Sequence, residues 1–152
     1  MKEGDLAPLV GGVVDDYREW LEHAGFVVQR SLPDAAPAVR FDPAAVSQAV
    51  INLLDNAAKY SGTSQEIAVR LHAHNGHVAI EIEDHGIGIA AAEQAKIFDR
   101  FYRSAGGTGK GGYGLGLFMV RHIMAVHGGR VEVDSEPGRG SRFRLIFPTA
   151  TA

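Results

Sequence analysis

The 152-residue chain contains no cysteine. Disulfides, thiolate nucleophiles and Cys-ligated zinc are thereby excluded, although the compartment is left open. Long apolar runs are missing too. Nothing approaches the ~20 apolar residues of a membrane-spanning helix, and the opening "MKEGDLAPLVGG" lacks the apolar core of a signal peptide. Basic residues are outnumbered, 15 Lys and Arg against 18 Asp and Glu, for a formal net charge of −3. That balance argues against a sequence-independent nucleic-acid binder, whose phosphate contacts need clustered positive charge. No internal repeat, linker or heptad run is present, and the P-loop pattern GxxxxGK[ST] does not occur. What remains is an ordinary single-domain composition, 45% hydrophobic and 22% charged, long enough to bury about 68–70% of the unfolded surface. Glycine is the one residue in evident excess: seven of the 19 fall between Gly106 and Gly116.

Apolar periodicity predicts an amphipathic helix from Leu9 to Ala24, ended by Gly25. Two short strands, "FVVQRSL" and "AVRF", follow around the turn "PDAAP". Asp42-Pro43 has the N-cap and first-turn residues of a second helix, running to about Tyr60. Ile67, Val69 and Leu71 alternate with polar residues, Asn75-Gly76 supplies a two-residue turn, and Val78, Ile80 and Ile82 alternate back as a hairpin. A short helix at 91–98, the Gly-rich run, an apolar helix from Leu117 to Val126 and a hairpin across "EPGRG" complete the chain. Hairpins interspersed with helices predict an α+β two-layer sandwich, a mostly antiparallel mixed sheet covered on one face by helices.

On the 43–60 helix, Val46, Ala49, Val50, Leu53, Leu54 and Ala57 form a core stripe. Asn52, Asp55, Asn56 and Lys59 form a second stripe beside it at i, i+3, i+4 and i+7. Asn is a mediocre helix former, so two of them one turn apart need a reason. One reading is a solvated face carrying an Asp55–Lys59 pair. The other is a cation and phosphate site, in which a neutral Asn oxygen ligates Mg²⁺ and water and substrate phosphate complete its shell. Downstream, Asp84 ends a strand and is followed by Gly86 and Gly88. A carboxylate is acceptor-only and suits an exocyclic amino group such as that of adenine; an ordinary Asp-Gly turn is the alternative. In "KIFDRFYRS", Phe98 and Phe101 can pin a short helix to the core while Arg100 and Arg103 stay outside. Gly114 and Gly116, at the start of the apolar helix, leave backbone N–H groups free for an anion.

Together, "NLLDNAAKY", "DHGIGI", "IFDRFYR", "GYGLGL" and "GRGSRFRL" occur in the order and spacing of the ATP-binding catalytic domain of sensor histidine kinases. The resemblance covers nearly the whole chain and extends to the class that also holds Hsp90, the gyrase B subunit and MutL. It implies that Asn56 is the Mg²⁺ ligand, with Asn52 beside it on the phosphate side. Lys59 and Tyr60 would contact phosphate and pack on the nucleotide, and Asp84 would accept from the adenine amino group. Gly86, Gly88 and Ile89 would shape that pocket, with Phe98 in the next box. Arg103 would approach the terminal phosphates, making Asn52, Lys59 and Arg103 the catalytic set. Gly112, Gly114, Leu115, Gly116 and Leu117 would close the ATP lid, with Gly114 and Gly116 as its hinge pair. Gly138 and Gly140 resemble the final box, although "EPGRG" is a good hairpin turn whatever the function.

The resemblance further implies the cofactors ATP and Mg²⁺, and transfer of the γ-phosphoryl group to a histidine. ATP hydrolases of the class carry a Glu four residues before the metal-binding Asn; here that position is Asn52, which cannot activate water. His85 departs from the family's usual Asn. The phosphoacceptor segment is absent from these residues, and His23, His72, His74, His77, His85, His122 and His127 sit in other contexts. Most read as surface or capping residues, His127 at a helix C-terminus. The expected partners are therefore the dimerisation and phosphoacceptor helices of a kinase and, indirectly, a response regulator, with no nucleic acid and no direct membrane contact. The chain reads as an excised domain or a split subunit, cytoplasmic whether or not the intact kinase is membrane-anchored, and monomeric by itself. An ATP hydrolase of the same class, a protein-serine kinase and a non-catalytic nucleotide-binding module are the alternatives.

Overall fold

The computed structural model describes residues 1–100, 102 and 116–150. Among them the order is β1 (Lys2–Gly4), α1 (Leu6–His23), β2 (Val27–Ser31), β3 (Val39–Phe41), α2 (Pro43–Lys59), β4 (Glu66–His74), β5 (His77–Asp84), α3 (Ala91–Gln94), α4 (Gly116–Val126), β6 (Arg130–Glu136) and β7 (Gly140–Pro148). Five strands form one sheet in the order β2-β4-β5-β7-β6. Only β2 and β4 run parallel; the other three pairings are antiparallel. The architecture is the expected α+β sandwich. Strand side chains alternate between faces, so Ile67, Val69, Leu71, Val78, Ile80, Ile82, Phe143, Leu145 and Phe147 all turn towards the helices and share one core with them. The alternate residues make the other face polar. There Arg70 reaches Glu81 at 2.8 Å and Glu83 at 2.9 Å, and Arg142 reaches Glu83 at 3.0 Å. No described helix is long and apolar enough to cross a membrane.

Two predicted elements match closely. The buried residues of α2 are the predicted core stripe, and Asp42 caps the helix by accepting the Ala44 and Ala45 N–H groups at 3.0 and 3.3 Å. The β4–β5 turn has positive φ at both Asn75 and Gly76, as a two-residue hairpin of this twist requires.

Two expectations need correcting, and one pairing was left unspecified by the sequence. The first helix starts at Leu6 rather than Leu9, because Asp5 accepts the Ala7 N–H at 2.8 Å and Pro8 falls in the first turn, where a missing N–H costs nothing. The two early strands part company: β2 joins the main sheet, while β3 pairs with β1, a three-residue strand too short to show periodicity. The helix expected at 91–98 is a single turn, Ala91–Gln94. Beyond it the chain continues in turns closed by Lys96 N–H to Glu93 and Asp99 N–H to Lys96, and these bury the consecutive Ile97 and Phe98.

His127 does stand at a helix C-terminus, but it is buried. The Asp42 N–H donates to its Nε2 at 3.0 Å, and its Nδ1 lies 2.7 Å from the Ile123 carbonyl oxygen. A backbone N–H can only donate, so Nε2 is the bare nitrogen and Nδ1–H donates to Ile123. The ring therefore ties the end of α4 to the cap of α2, with its edge on Phe147. His127→Phe should cost about 1–3 kcal/mol by urea unfolding, because it removes the partner of the Asp42 N–H and leaves an apolar ring facing it. A loss below about 0.5 kcal/mol would mean that water replaces the ring at no cost, and that this tie is dispensable.

Candidate functional site

Three chain segments converge where β5 ends. The first is the C-terminal end of α2, where the carbonyl of its C-cap residue Tyr60 accepts the Ile87 N–H at 3.0 Å. A helix C-terminus leaves carbonyls without intrahelical partners, and here the loop after Asp84 supplies one. Gly86 makes the approach possible: a Cβ there would lie 1.9 Å from the Tyr60 oxygen. The second segment is the β6–β7 turn, where the Gly138 N–H donates to the Ile87 carbonyl at 2.8 Å. The third is the end of β6. The Ser135 hydroxyl accepts the Ile89 N–H at 2.8 Å and donates to the Gly140 carbonyl at 2.9 Å. Its one hydrogen is thus used, so the Ser141 hydroxyl, 2.8 Å away, must donate to it. Gln94 closes the arrangement by donating to the carbonyls of Ile89 and Ser135, both at 2.9 Å.

Asp84 sits at the centre of this junction and is only 4% exposed. Its carboxylate accepts the Gly86 N–H at 2.9 Å and the N–H of Ser141, which β5–β7 pairing places opposite it. Burial raises its pKa from 3.8 to about 6, against the pull of those two donors and of His85. Because the folded pKa lies above the unfolded one, this group's contribution to stability is lost as pH rises from about 4 to about 6. The loss amounts to roughly 3 kcal/mol. A ligand that donates a hydrogen bond to the ionised form recovers part of it.

The α2 face supplies the second half of the site. The Asn56 amide makes no hydrogen bond to another described residue. Asn52 is engaged: its Oδ1 accepts from Gln48 Nε2 at 2.7 Å and its Nδ2 donates to the Gly116 carbonyl, the first residue of α4, at 3.3 Å. Lys59 pairs with Asp55 at 2.9 Å, so the ion pair of the simpler reading of this face is present. The Tyr17 hydroxyl approaches the same Asp55 at 3.5 Å, and burial raises its pKa, with Asp55 adding to the shift.

The structure thus brings Asp84, Gly86, Gly88 and Ile89 together with Tyr60 at the end of α2, and brings Asn52 to Gly116. Ile89 and Leu117 are half-buried and pack against the core. Phe98 is buried with its ring edge on Phe143, so it anchors its segment to the core. His85 is exposed. Arg103, Gly112, Gly114 and Leu115 lie outside the described residues. Sequence reading passed over Ser135, Ser141, Gln94 and Gln48. The serines become legible only once β7 is known to pair with β5, whereas the i, i+4 spacing of Gln48 and Asn52 was available as a signal.

Residues 41–151 match the family described as "Histidine kinase-, DNA gyrase B-, and HSP90-like ATPase". The adaptive-response sensory kinase SasA of Crocosphaera subtropica is 36% identical over 137 residues, which cover 90% of this chain. The chain spans only 36% of that curated relative's length. Among solved structures, the mycobacterial sensor histidine kinase MprB superposes with a TM-score of 0.84 at 28% identity, over 97% of this chain and 98% of its own. Full-length ShkA, solved in complex with AMPPNP, gives a TM-score of 0.85 at 27% identity, over 99% of this chain and 31% of its own.

Proposed function

Because the chain belongs to the family of histidine kinase-, DNA gyrase B- and HSP90-like ATPases, we propose that it binds Mg²⁺–ATP and donates the γ-phosphoryl group to a histidine. That histidine lies on separate dimerisation and phosphoacceptor helices, and a response regulator receives the group afterwards. The domain would work in the cytoplasm, where ATP is supplied. The observation that carries the reading is the buried, acceptor-only Asp84, joined through Ile87 and Tyr60 to the helix that bears Asn56.

The residues fit the cation. Among the described residues no three His, Asp or Glu side chains could hold a metal, so a bound ion would rely on the uncommitted Asn56 oxygen, on water and on phosphate. Mg²⁺, which commonly takes one or two protein ligands beside substrate phosphates, suits that set. When bound, it neutralises charge on the transferring phosphate. Asp84 selects and orients the base, and Lys59, held by Asp55, offers a fixed positive charge at the rim. Asn52 occupies the position where a hydrolase of the class carries a Glu, and an amide does not take a proton from water. Bound ATP then keeps its γ-phosphate until an acceptor arrives.

The test supplies radiolabelled ATP and isolated phosphoacceptor domains in trans. An acid-labile phosphorylated product is expected, reduced roughly 100-fold or more by Asn56→Ala, since a Lewis-acid metal supplies several kcal/mol. Steady phosphate release without acceptor would favour a hydrolase, and an acid-stable product a serine kinase.

A further inference from the structure

We infer that Gln48 is a positioning residue for the nucleotide site, fixing the orientation of the Asn52 amide; the inference rests on the ATP-binding reading above. Asn offers two ends of nearly equal shape, one acceptor and one donor. Packing does not choose between them on an open helix face. The Gly116 carbonyl does: it can only accept, so the Asn52 end that faces it is Nδ2. Oδ1 is then turned to Gln48, which must present its own NH₂ group, and the 2.7 Å contact is made in that sense. One backbone carbonyl at the start of α4 therefore orders two amides in series. Gln48 holds the order by occupying the oxygen that would otherwise be free to swing.

The consequence is a division of labour between the two asparagines. With Oδ1 engaged, Asn52 keeps the second hydrogen of Nδ2 for an anion, whereas Asn56, whose side-chain amide no described residue engages, keeps its oxygen for a cation. Asn52 lies beside the N-terminal end of α4, where backbone N–H groups add to a positive field. It thus acts towards phosphate as a donor. The same geometry accounts for Gln at position 48: Glu, equal in size, cannot donate when ionised. It would draw Nδ2 to itself and turn the Asn52 oxygen towards Gly116 and the phosphates.

The test compares Gln48→Met, which removes the partner without adding charge, with Gln48→Glu, each alone and combined with Asn52→Ala. Calorimetric titration of Mg²⁺–ATP should show binding weakened about three- to tenfold by Gln48→Met, the size of one hydrogen bond. Gln48→Glu should weaken it further, and both effects should shrink when Asn52 is already Ala. In the ligand-free protein, the side-chain amide resonances of Asn52 should move in Gln48→Met while the sheet's backbone spectrum stays in place. An unmoved Asn52 amide, or a Gln48→Glu effect that is the same with and without Asn52, would overturn the inference. If the wild-type chain binds no Mg²⁺–ATP, the function proposed above fails, and the amide resonances of the free protein still decide the role of Gln48.

Discussion

Asp84→Asn should reduce ATP affinity about 100-fold or more while leaving the domain folded. A carboxylate presents two acceptor oxygens; here it accepts the backbone N–H groups of Gly86 and Ser141, and on the proposed function it would also accept an amino group arriving from the pocket. An amide presents one oxygen. With that oxygen on the Gly86 N–H, the Asn nitrogen faces the incoming amino group, donor against donor; with the amide reversed, the conflict moves to Gly86. Either way a buried donor is orphaned and the charge assistance is gone. Because Asn removes a desolvated charge, the ligand-free variant should melt no lower than the wild type at pH 7.5 by more than a few degrees. Calorimetry and a thermal melt on the same preparation check both halves. Retained affinity would show that the base is held elsewhere, and a collapsed melt would make Asp84 a structural residue.

The raised pKa of the same carboxylate gives the pH dependence a definite sign. On the proposed function, adenosine, with no phosphate to titrate near pH 6, would bind the ionised form of Asp84. Its affinity should be flat above about pH 6.5 and fall up to tenfold per unit below about pH 5.5, with proton release on binding near pH 6. Asp84's contribution to folding stability runs the other way, increasing as pH falls from about 6 to about 4. Affinity and stability moving in opposite directions would be the signature of a buried carboxylate reserved for a ligand. Asp84→Asn should abolish both trends.

Where one local signal sufficed, the sequence was a reliable guide. The α2 core stripe, its Asp42 cap and the Asn75-Gly76 turn needed only 3.6-residue periodicity, a cap and a positive-φ pair, and all three stand where they were expected. What escaped was set by long-range pairing. Nothing near Ser141 announces that it lies opposite Asp84, because the two partners stand far apart in the sequence and only the register of β5 with β7 brings them together. Likewise β1 exists only because β3 is there to receive it, and three residues carry no period of their own. The site divides in the same way. Asp84, Asn56, Gly86 and Gly88 were singled out as candidates by residue type and spacing, whereas Ser135 and Gln94 bind the loop through contacts that only the folded hairpin creates.

The two glycines of "EPGRG" should respond very differently to alanine, although in the sequence they look like equal parts of one turn. Both have positive φ, +80° at Gly138 and +95° at Gly140, so each substitution carries a backbone cost of about 1–2 kcal/mol. A Cβ on Gly138 meets nothing within 4 Å, and Gly138→Ala should cost no more than that. A Cβ on Gly140 would lie 2.1 Å from the Asp84 carbonyl oxygen and 2.6 Å from the His85 Cα, both backbone atoms with no rotamer to yield. Relief requires β7 to draw away from β5 at its first residues, where the Ser141 N–H holds the Asp84 carboxylate and the Gly140 carbonyl holds Ser135. Gly140→Ala should therefore cost at least about 3–4 kcal/mol in urea unfolding. It should also weaken ATP binding in whatever fraction remains folded, since the Asp84 carboxylate loses a fixed donor. Equal losses from the two substitutions would mean that turn conformation alone accounts for both glycines. A larger loss at Gly140, accompanied by weaker ATP binding, would show that the glycine is required because the strand carrying the base-recognising carboxylate passes too close for any side chain.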